Sequence, residues 1–574
     1  MTNLEVGKLL RAVAAAYIIK NENRFKIMAY ERAADSIEHS TSEIKDLWED
    51  GKLAEIPGIG SSIAAHLDEL FKTSRVKHFE KIMKDLPPAM FPLLSVPGFG
   101  PKKAYKLVKI LKLVNPATVI EDLEKKALEG KIAPIEGFGE KSQEDILEAL
   151  ESFKKGQIKE NRMVLPYADV VAREVIAYLK KCPATSKVDP LGSLRRKVAT
   201  IGDIDVAVAT EKPEQVIKWF VNYPKKQKIV ESGPTGATLL LQNGRQVDLR
   251  VQKPKAYGAM LQYFTGSKHH NIHLRELALE KKLSLSEYGI KRQMANGKWQ
   301  MANYAEEEKF YEALGLDWIP PELREDTGEI EASLRSAQGQ SGGLPMLVDL
   351  KDIKGDLHVH SNYPIEPSHD LGANSMEEII KKAEKLDYEY IGFAEHSPSI
   401  TNHTKQQIYE ILARRKEKIE KLKLTSKIVR VINLLEVDIL ADGNLSIEDK
   451  SLNLLDGAIA SVHSSFSQSK EKMTKRILHA LANSHIRILG HPTGRMLGKR
   501  EAYEADWEKI FTFCKNHHIA LEINAWPDRL DLPDTLVRQA VKMGVKMVIC
   551  SDSHATEQMN LITYGIAVAR RGWA

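Results

Sequence analysis

With 574 residues and 43% hydrophobic content, the chain is long enough to bury three or four separate cores. Its three cysteines (Cys182, Cys514, Cys550) are too few and too scattered for a disulfide framework or a zinc finger, which points to a reducing, cytoplasmic setting. No N-terminal stretch has the layout of a leader, and no run approaches the roughly 18 apolar residues of a membrane span. The net charge of +5 is unevenly spread: residues 348–574 carry 31 Lys+Arg and 31 Asp+Glu, so the excess sits in residues 1–347 (52 against 47). An excess this small does not by itself argue for a nucleic-acid partner.

Residues 1 to about 155 read as nearly all helix, with Leu9, Leu10, Val13, Ala16 and Tyr17 at helical spacing. A repeat lies inside this part: IPGIGSSIA (56–64), VPGFGPKKA (96–104) and IEGFGEKSQ (135–143) share an apolar–x–Gly–apolar–Gly core. The glycine pairs Gly58/Gly60, Gly98/Gly100 and Gly137/Gly139 permit a tight turn, and the helix that follows presents unpaired amides and its positive dipole end. Such a turn can bind a phosphate without reading a base. The first two copies resemble the helix-hairpin-helix motif; the third lacks the proline and the small closing residue.

From about 165 to 255 the pattern changes to mixed α/β, with strands expected in VDPLGSL, IDVAVAT, KIVESG, ATLLLQ and RQVDLRV, and residues 256–325 are mixed again. Within GSLRRKVATIGDIDVAV (192–208), Asp203 and Asp205 are two apart on an expected strand, so both carboxylates face one side. Asp248 comes from a further strand. Three clustered carboxylates are hard oxygen ligands suited to a magnesium pair, the arrangement used for in-line nucleotidyl transfer. Gly192 and Ser193 can approach a triphosphate with backbone and hydroxyl, and Arg196 adds charge.

The segment 326–345, DTGEIEASLRSAQGQSGGLP, reads as a polar linker. Beyond it, twelve of the eighteen histidines fall in residues 348–574. Short apolar runs recur there: GDLHVH (355–360), YIGFAEH (390–396), VINLLEVDI (431–439), GAIASVH (457–463), IRILGH (486–491), IALEIN (519–524) and VKMVICSDSH (545–554). Nearly all carry His, Asp or Glu at or near their ends, five of the seven finishing on His, and their spacing is that of strand-plus-helix units. In a (β/α) barrel the strand C-termini converge on one face, so these side chains would assemble a metal site.

G-S-L-R-R, G-D-I-D-V, V-D-L-R and YFTGSKHHNIHLR (263–275) together resemble the family X DNA polymerases over roughly residues 1–320. The resemblance implies that Asp203, Asp205 and Asp248 bind the catalytic Mg2+ ions and that Gly192, Ser193 and Arg196 hold the incoming deoxynucleoside triphosphate. It further implies that Tyr263 and Phe264 wall the sugar, that Gly266 lies on the same turn, and that Asn271 and Arg275 touch the nascent base pair. Two positions depart from the pattern. Gln246 stands where animal members carry an arginine, and His66 stands where lyase-competent members carry their Schiff-base lysine. A histidine cannot form a stable imine with an abasic sugar, so deoxyribose-phosphate lyase chemistry is not expected there.

The C-terminal part resembles the polymerase-and-histidinol-phosphatase (PHP) domain. Its matching residues are His358, His360, His396, Glu436, His463, His491, Asp552 and His554. In the insertion PIEPSHDLGAN, Asp370 is the best candidate for the remaining ligand, with His369 next. Nine such ligands suffice for up to three ions, and mixed imidazole–carboxylate ligation suits manganese, zinc or iron. The implied activity is that of a 3′-5′ exonuclease or 3′-phosphatase on DNA ends.

The expected architecture is therefore multidomain. An all-α helix-hairpin-helix region spans 1–85 and 86–155, an α/β nucleotidyltransferase palm 156–255, and a small α/β thumb 256–325. A linker follows at 326–347, then a distorted (β/α) barrel of PHP type at 348–574. The expected function is gap filling in DNA repair, including base excision repair, with trimming of 3′ ends. The partners are gapped or nicked duplex DNA and deoxynucleoside triphosphates, with no membrane; a monomer satisfies everything the chain requires. A barrel that is only structural, or a non-catalytic DNA-binding scaffold, are the competing readings.

Overall fold

The computed structural model describes residues 3–38, 44, 48, 51, 53, 59–94, 96, 99–154, 162–242, 245–294, 299–367, 369–426, 429–497 and 500–574. Two units emerge, one of residues 1–161 with 220–247 and one of 162–219 with 248–574.

The first unit is built mainly from helices, as the periodicity predicts. Val6, Leu10, Val13 and Tyr17, spaced by four, three and four along Asn3–Ile19, meet Tyr30, Ile63, Leu67 and Phe79 in one core. A second core gathers Leu93, Leu107, Val108, Leu123, Ile146 and Leu150. The helix Pro101–Ile110 shows the logic: proline opens it, Ala104, Leu107 and Val108 are buried, and Lys102 and Lys109 face water. Each such leucine contributes about 1.5–3 kcal/mol by leaving water. The same unit contains an antiparallel hairpin of Lys226–Gly233 and Gly236–Leu241.

In the second unit the strand Ile204–Ala209 is buried throughout and pairs antiparallel with Lys187–Pro190, with Gln246–Gln252 on its other side. Next come the helices Tyr257–Thr265, Lys268–Glu280 and Glu307–Ala313 around a small antiparallel sheet of Leu283–Ser286, Gly289–Gln293 and Trp299–Ala302. The segment read as a linker differs from expectation, because Glu329–Ala337 is a helix. Its Ile330 joins the core of Leu274, Phe310 and Leu323. Its Glu329 carboxylate is fully buried, accepting from His270 Nδ1 (2.6 Å) and from the amides of Asp326 and Thr327. The polar residue that suggested solvent is a satisfied interior acceptor.

The last part alternates parallel strands with helices. Gly355–Val359, Tyr390–Phe393 and Arg430–Asn433 form one sheet; Glu436–Asp438, Ala458–Ser461, Ile486–Leu489, Ala520–Asn524 and Met547–Cys550 form another. The run VINLLEVDI, expected as one strand, is thus two, broken at Leu434-Leu435. Isolated parallel bridges His396–Glu436 and Val359–Ser553 join the sheets and bring the first strand to the end of the last, so the strands close into an irregular ring. All run the same way, so their C-terminal ends share one rim.

A buried ion network holds the middle of the second unit. Glu307, 4% exposed, takes Arg195 Nη2 at 2.5 Å and Arg324 Nη1 at 2.6 Å. Burial pushes the Glu307 carboxyl up, but Arg324 and Arg195 outweigh it and pull it down to about 2. A carboxyl with a depressed folded pKa adds stability above its unfolded value, and that stability is lost as pH falls through the folded one. Glu307→Gln should therefore lower stability by about 3 kcal/mol at pH 7 and flatten the loss of stability between pH 4.5 and 2. Urea unfolding at pH 7, 4 and 3 measures both; an unchanged pH slope in the variant would contradict this assignment.

Candidate active sites

In the first unit, Gly60 caps the helix Ser61–Thr73, Gly100 caps Pro101–Ile110, and Gly139 immediately precedes Glu140–Lys154, so each described hairpin opens a helix. Gly137 sits at φ +82, where a side chain would be strained. Gly58 and Gly98 lie outside the described residues. Lys106 Nζ donates to the Glu136 carbonyl at 2.5 Å, which ties the third hairpin to the second helix. His66 is stacked on His78 at 4.7 Å and its Nδ1 meets the Tyr30 hydroxyl at 2.8 Å. Burial and then His78 push its pKa down, so the ring is neutral at pH 7.

In the second unit, ligand atoms of Asp203, Asp205 and Asp248 lie within 4.8 Å of one another. Asp203 sits one residue before the strand Ile204–Ala209, in the bend at Gly202, rather than on the strand with Asp205 as expected. The bend carries it to the same side. Burial, then the negative charges of Asp203 and Asp248, push the Asp205 carboxyl well above the usual range, against Arg250 and Arg196. Its Oδ1 is buried without a hydrogen-bond partner. Crowded like charges with an orphaned oxygen fit divalent cations, which would remove the repulsion.

Gly192 stands directly over this cluster at φ +55, and a Cβ there would run into Asp205 Oδ2. Arg196 donates from Nε to Glu325 (2.8 Å) and from Nη1 to the Thr265 carbonyl (2.8 Å). Tyr263 and Phe264 pack edge to face at 5.0 Å, with the Arg250 guanidinium 5.5 Å over Phe264. Asn271 Nδ2 donates to the carbonyls of Tyr263 and Gly266, Asn271 Oδ1 accepts from Gln262, and Arg275 donates to the Asn271 carbonyl. A side chain at Gly266 would strike Asn271. The residues singled out between 263 and 275 thus form one connected turn and helix.

The rim of the parallel ring gathers the histidines. Glu436, fully buried, has His396 Nδ1 at 2.8 Å, His491 Nε2 at 2.9 Å, and His358 Nε2 and His463 Nε2 at 3.3 Å. Asp552 Oδ1 lies 3.2 Å from His360 Nε2, and the rings of His360 and His554 stack at 4.0 Å. Asp370 reaches His396 at 3.4 Å and His554 at 3.5 Å, although it is exposed; His369 lies 3.4 Å from Asp438. All nine expected ligands, and His369, therefore stand around one rim.

Burial opposes charge on Glu436, but His396, His358 and His463 hold its carboxyl well below the ordinary range. Burial drives His360 down to about 3, against the pull of Asp552. Nε2 of His358, Nδ1 of His396, Nε2 of His463, Nε2 of His554 and Oε2 of Glu436 are buried with no hydrogen-bond partner among the described residues. Ligand atoms this close that form no hydrogen bonds point at common positions between them, and they fit transition-metal ions.

The supporting shell contains residues the sequence reading missed. Glu522 accepts from His358 Nδ1 at 2.7 Å and from the His491 amide, and Asp438 accepts from His463 Nδ1 at 2.6 Å. Carboxylates behind imidazoles fix the ring and raise its basicity as a ligand. Asn524 Nδ2 donates to Asp552 at 2.9 Å, and Arg529 Nε lies 3.9 Å from Asp552. Strand alternation carried a signal for two of them: Asp438 shares a face with Glu436, and Glu522 with Asn524.

Three family models match the chain: the helix-hairpin-helix domain over residues 1–76, the DNA polymerase beta thumb over 260–325, and the PHP domain over 356–525. The DNA polymerase/3′-5′ exonuclease PolX of Bacillus subtilis is 32% identical over 100% of this chain and 96% of its own length. A probable phosphatase of Thermoanaerobacter sp. is 28% identical over 35% of this chain and 79% of its own. DNA polymerase lambda of Rattus norvegicus is 22% identical over 56% of each.

Glu436 touches four imidazoles, so Glu436→Gln should weaken metal retention by about tenfold or more while leaving the far-ultraviolet dichroism unchanged. Metal content of the purified variant after dialysis, by plasma mass spectrometry, measures this; wild-type content would refute the assignment.

Proposed function

The chain belongs to the family X DNA polymerases that carry a C-terminal PHP domain, and we propose from this that it fills short gaps in DNA and trims 3′ ends during repair. It is a DNA-directed DNA polymerase with a PHP 3′-5′ exonuclease domain. The observation that carries the reading is the presence in one chain of a buried carboxylate triad and a separate imidazole rim.

In the polymerase reaction Asp203, Asp205 and Asp248 would hold Mg2+, which supplies charge to the attacking and leaving oxygens of an in-line transfer. Gly192 brings backbone to the triphosphate where a side chain would collide with Asp205. Ser193 and Arg196 bind the phosphates. The Tyr263–Phe264 pair forms the wall beside the sugar, while Asn271, locked by Gln262 and by the carbonyls of its own turn, keeps Arg275 oriented toward the base pair. The hairpin helices grip backbone phosphates on either flank of a gap, so binding depends steeply on salt and little on sequence.

In the exonuclease, His358, His360, Asp370, His396, Glu436, His463, His491, Asp552 and His554 would hold up to three manganese, zinc or iron ions, which activate water toward a phosphoester. Glu522 and Asp438 keep His358 and His463 aimed. His66, neutral and held between Tyr30 and His78, has no amine with which to trap an abasic sugar.

On a one-nucleotide gap, Asp203→Ala should lower incorporation by about a thousandfold or more while leaving manganese-stimulated 3′ resection intact. His358→Ala and Asp552→Ala should do the reverse. Resection that survives both changes would exclude the PHP domain as its source. Borohydride reduction on an incised abasic substrate should give no adduct that depends on residue 66; a wild-type adduct lost in His66→Ala would contradict the assignment.

A further inference from the structure

The last helix, Ile562–Arg571, lies in the same unit as the palm and thumb and meets both. Tyr564 donates to Asp169 (3.1 Å) and accepts from Arg173 (3.1 Å), both on the helix Leu165–Leu179. Arg570 pairs with Glu322 at 2.8 Å. Arg571 reaches furthest. Its Nη1 lies 2.9 Å from Glu325 Oε1 and 2.9 Å from the Arg196 carbonyl, and its Nε pairs with Asp534 at 2.7 Å.

Glu325 Oε1 is the oxygen that Arg196 Nε occupies at 2.8 Å. Two guanidinium groups therefore share one carboxylate oxygen, with Arg571 only 8% and Arg196 14% exposed. An incoming triphosphate must compete with Glu325 for Arg196. With Arg571 in place the Glu325 charge is already compensated, and Arg196 can turn from it at little cost. Without Arg571, Glu325 has Arg196 as its remaining partner in this network and holds it more tightly.

We propose that Arg571, carried by the PHP domain, is a positioning residue of the polymerase site: by neutralising Glu325 it releases Arg196 to the triphosphate. The inference rests on the assignment of Arg196 as a triphosphate ligand. It makes nucleotide affinity depend on how the PHP domain is seated, which links the building and trimming halves of the enzyme.

The test is single-nucleotide incorporation kinetics on gapped DNA with the full chain. Arg571→Gln, which keeps most of the side-chain bulk, should raise KM for the nucleotide roughly three- to tenfold with kcat little changed. Arg571→Lys should retain a KM near wild type. Adding Glu325→Gln to Arg571→Gln should return KM toward wild type, because the competing charge is gone; a purely structural contact would not be rescued by removing its partner. Metal content of the PHP domain serves as the folding control, and if Arg571→Gln fails it, the single variant Glu325→Gln is read instead and should lower KM. An unchanged KM in Arg571→Gln, or no rescue in the double variant, would overturn the proposal. Arg196→Ala separates the two levels: if it leaves KM unchanged, the assignment of Arg196 fails, whereas a raised KM there with none in Arg571→Gln rejects the role of Arg571 alone.

Discussion

A single carboxylate shut away from water organises the C-terminal half of the molecule. Glu436 stays charged in an interior that opposes charge, and it does so because His396, His358 and His463 lean toward it. Those imidazoles come from three different strand ends, and two of them are backed by a further carboxylate: Glu522 behind His358 and Asp438 behind His463. Removing a buried charge from such a set leaves the others uncompensated, so the rim is a cooperative object. The same crowding leaves ring nitrogens and a carboxylate oxygen facing one another without hydrogen bonds, the condition that ions relieve.

The palm solves a similar problem with opposite means. There the cluster is acidic among the described residues, and Asp205 is buried among like charges. Hard oxygen ligands suit a hard ion that exchanges with substrate, whereas the imidazole-rich rim suits ions that stay. The triad sits on and just before the strands of an antiparallel-paired sheet, while parallel strands place the rim at the mouth of a ring. The second topology follows from its sequence pattern, apolar runs at βα spacing.

Much of this was legible in the residues. The runs ending in His needed only parallel topology to bring them together, and D-x-D with the later V-D-L-R pointed to the three carboxylates that the fold does gather. What stayed hidden has physical reasons. Glu522 lies in IALEIN between apolar neighbours, where strand alternation marks a face but not a partner 164 residues away. VINLLEVDI reads as one strand because an unbroken aliphatic run carries no sign of the break at Leu434-Leu435. The helix Glu329–Ala337 reads as a linker because its buried acceptor, Glu329, looks like a solvated charge until His270 is seen beside it. Asp203 left the strand because Gly202 bends the chain, which the period of two cannot express.

The contact between Arg571 and the Arg196 carbonyl spans 375 residues of chain. During synthesis at about 5–20 residues per second, the palm leaves the ribosome some tens of seconds before the helix that completes its charge balance exists. Until then Glu325 has Arg196 but not Arg571, one of the two guanidinium partners it has in the finished protein. That contact is thus tied in time to arrival of the C-terminal helix, so a ribosome that stalls early releases a chain whose Glu325 lacks its second guanidinium partner.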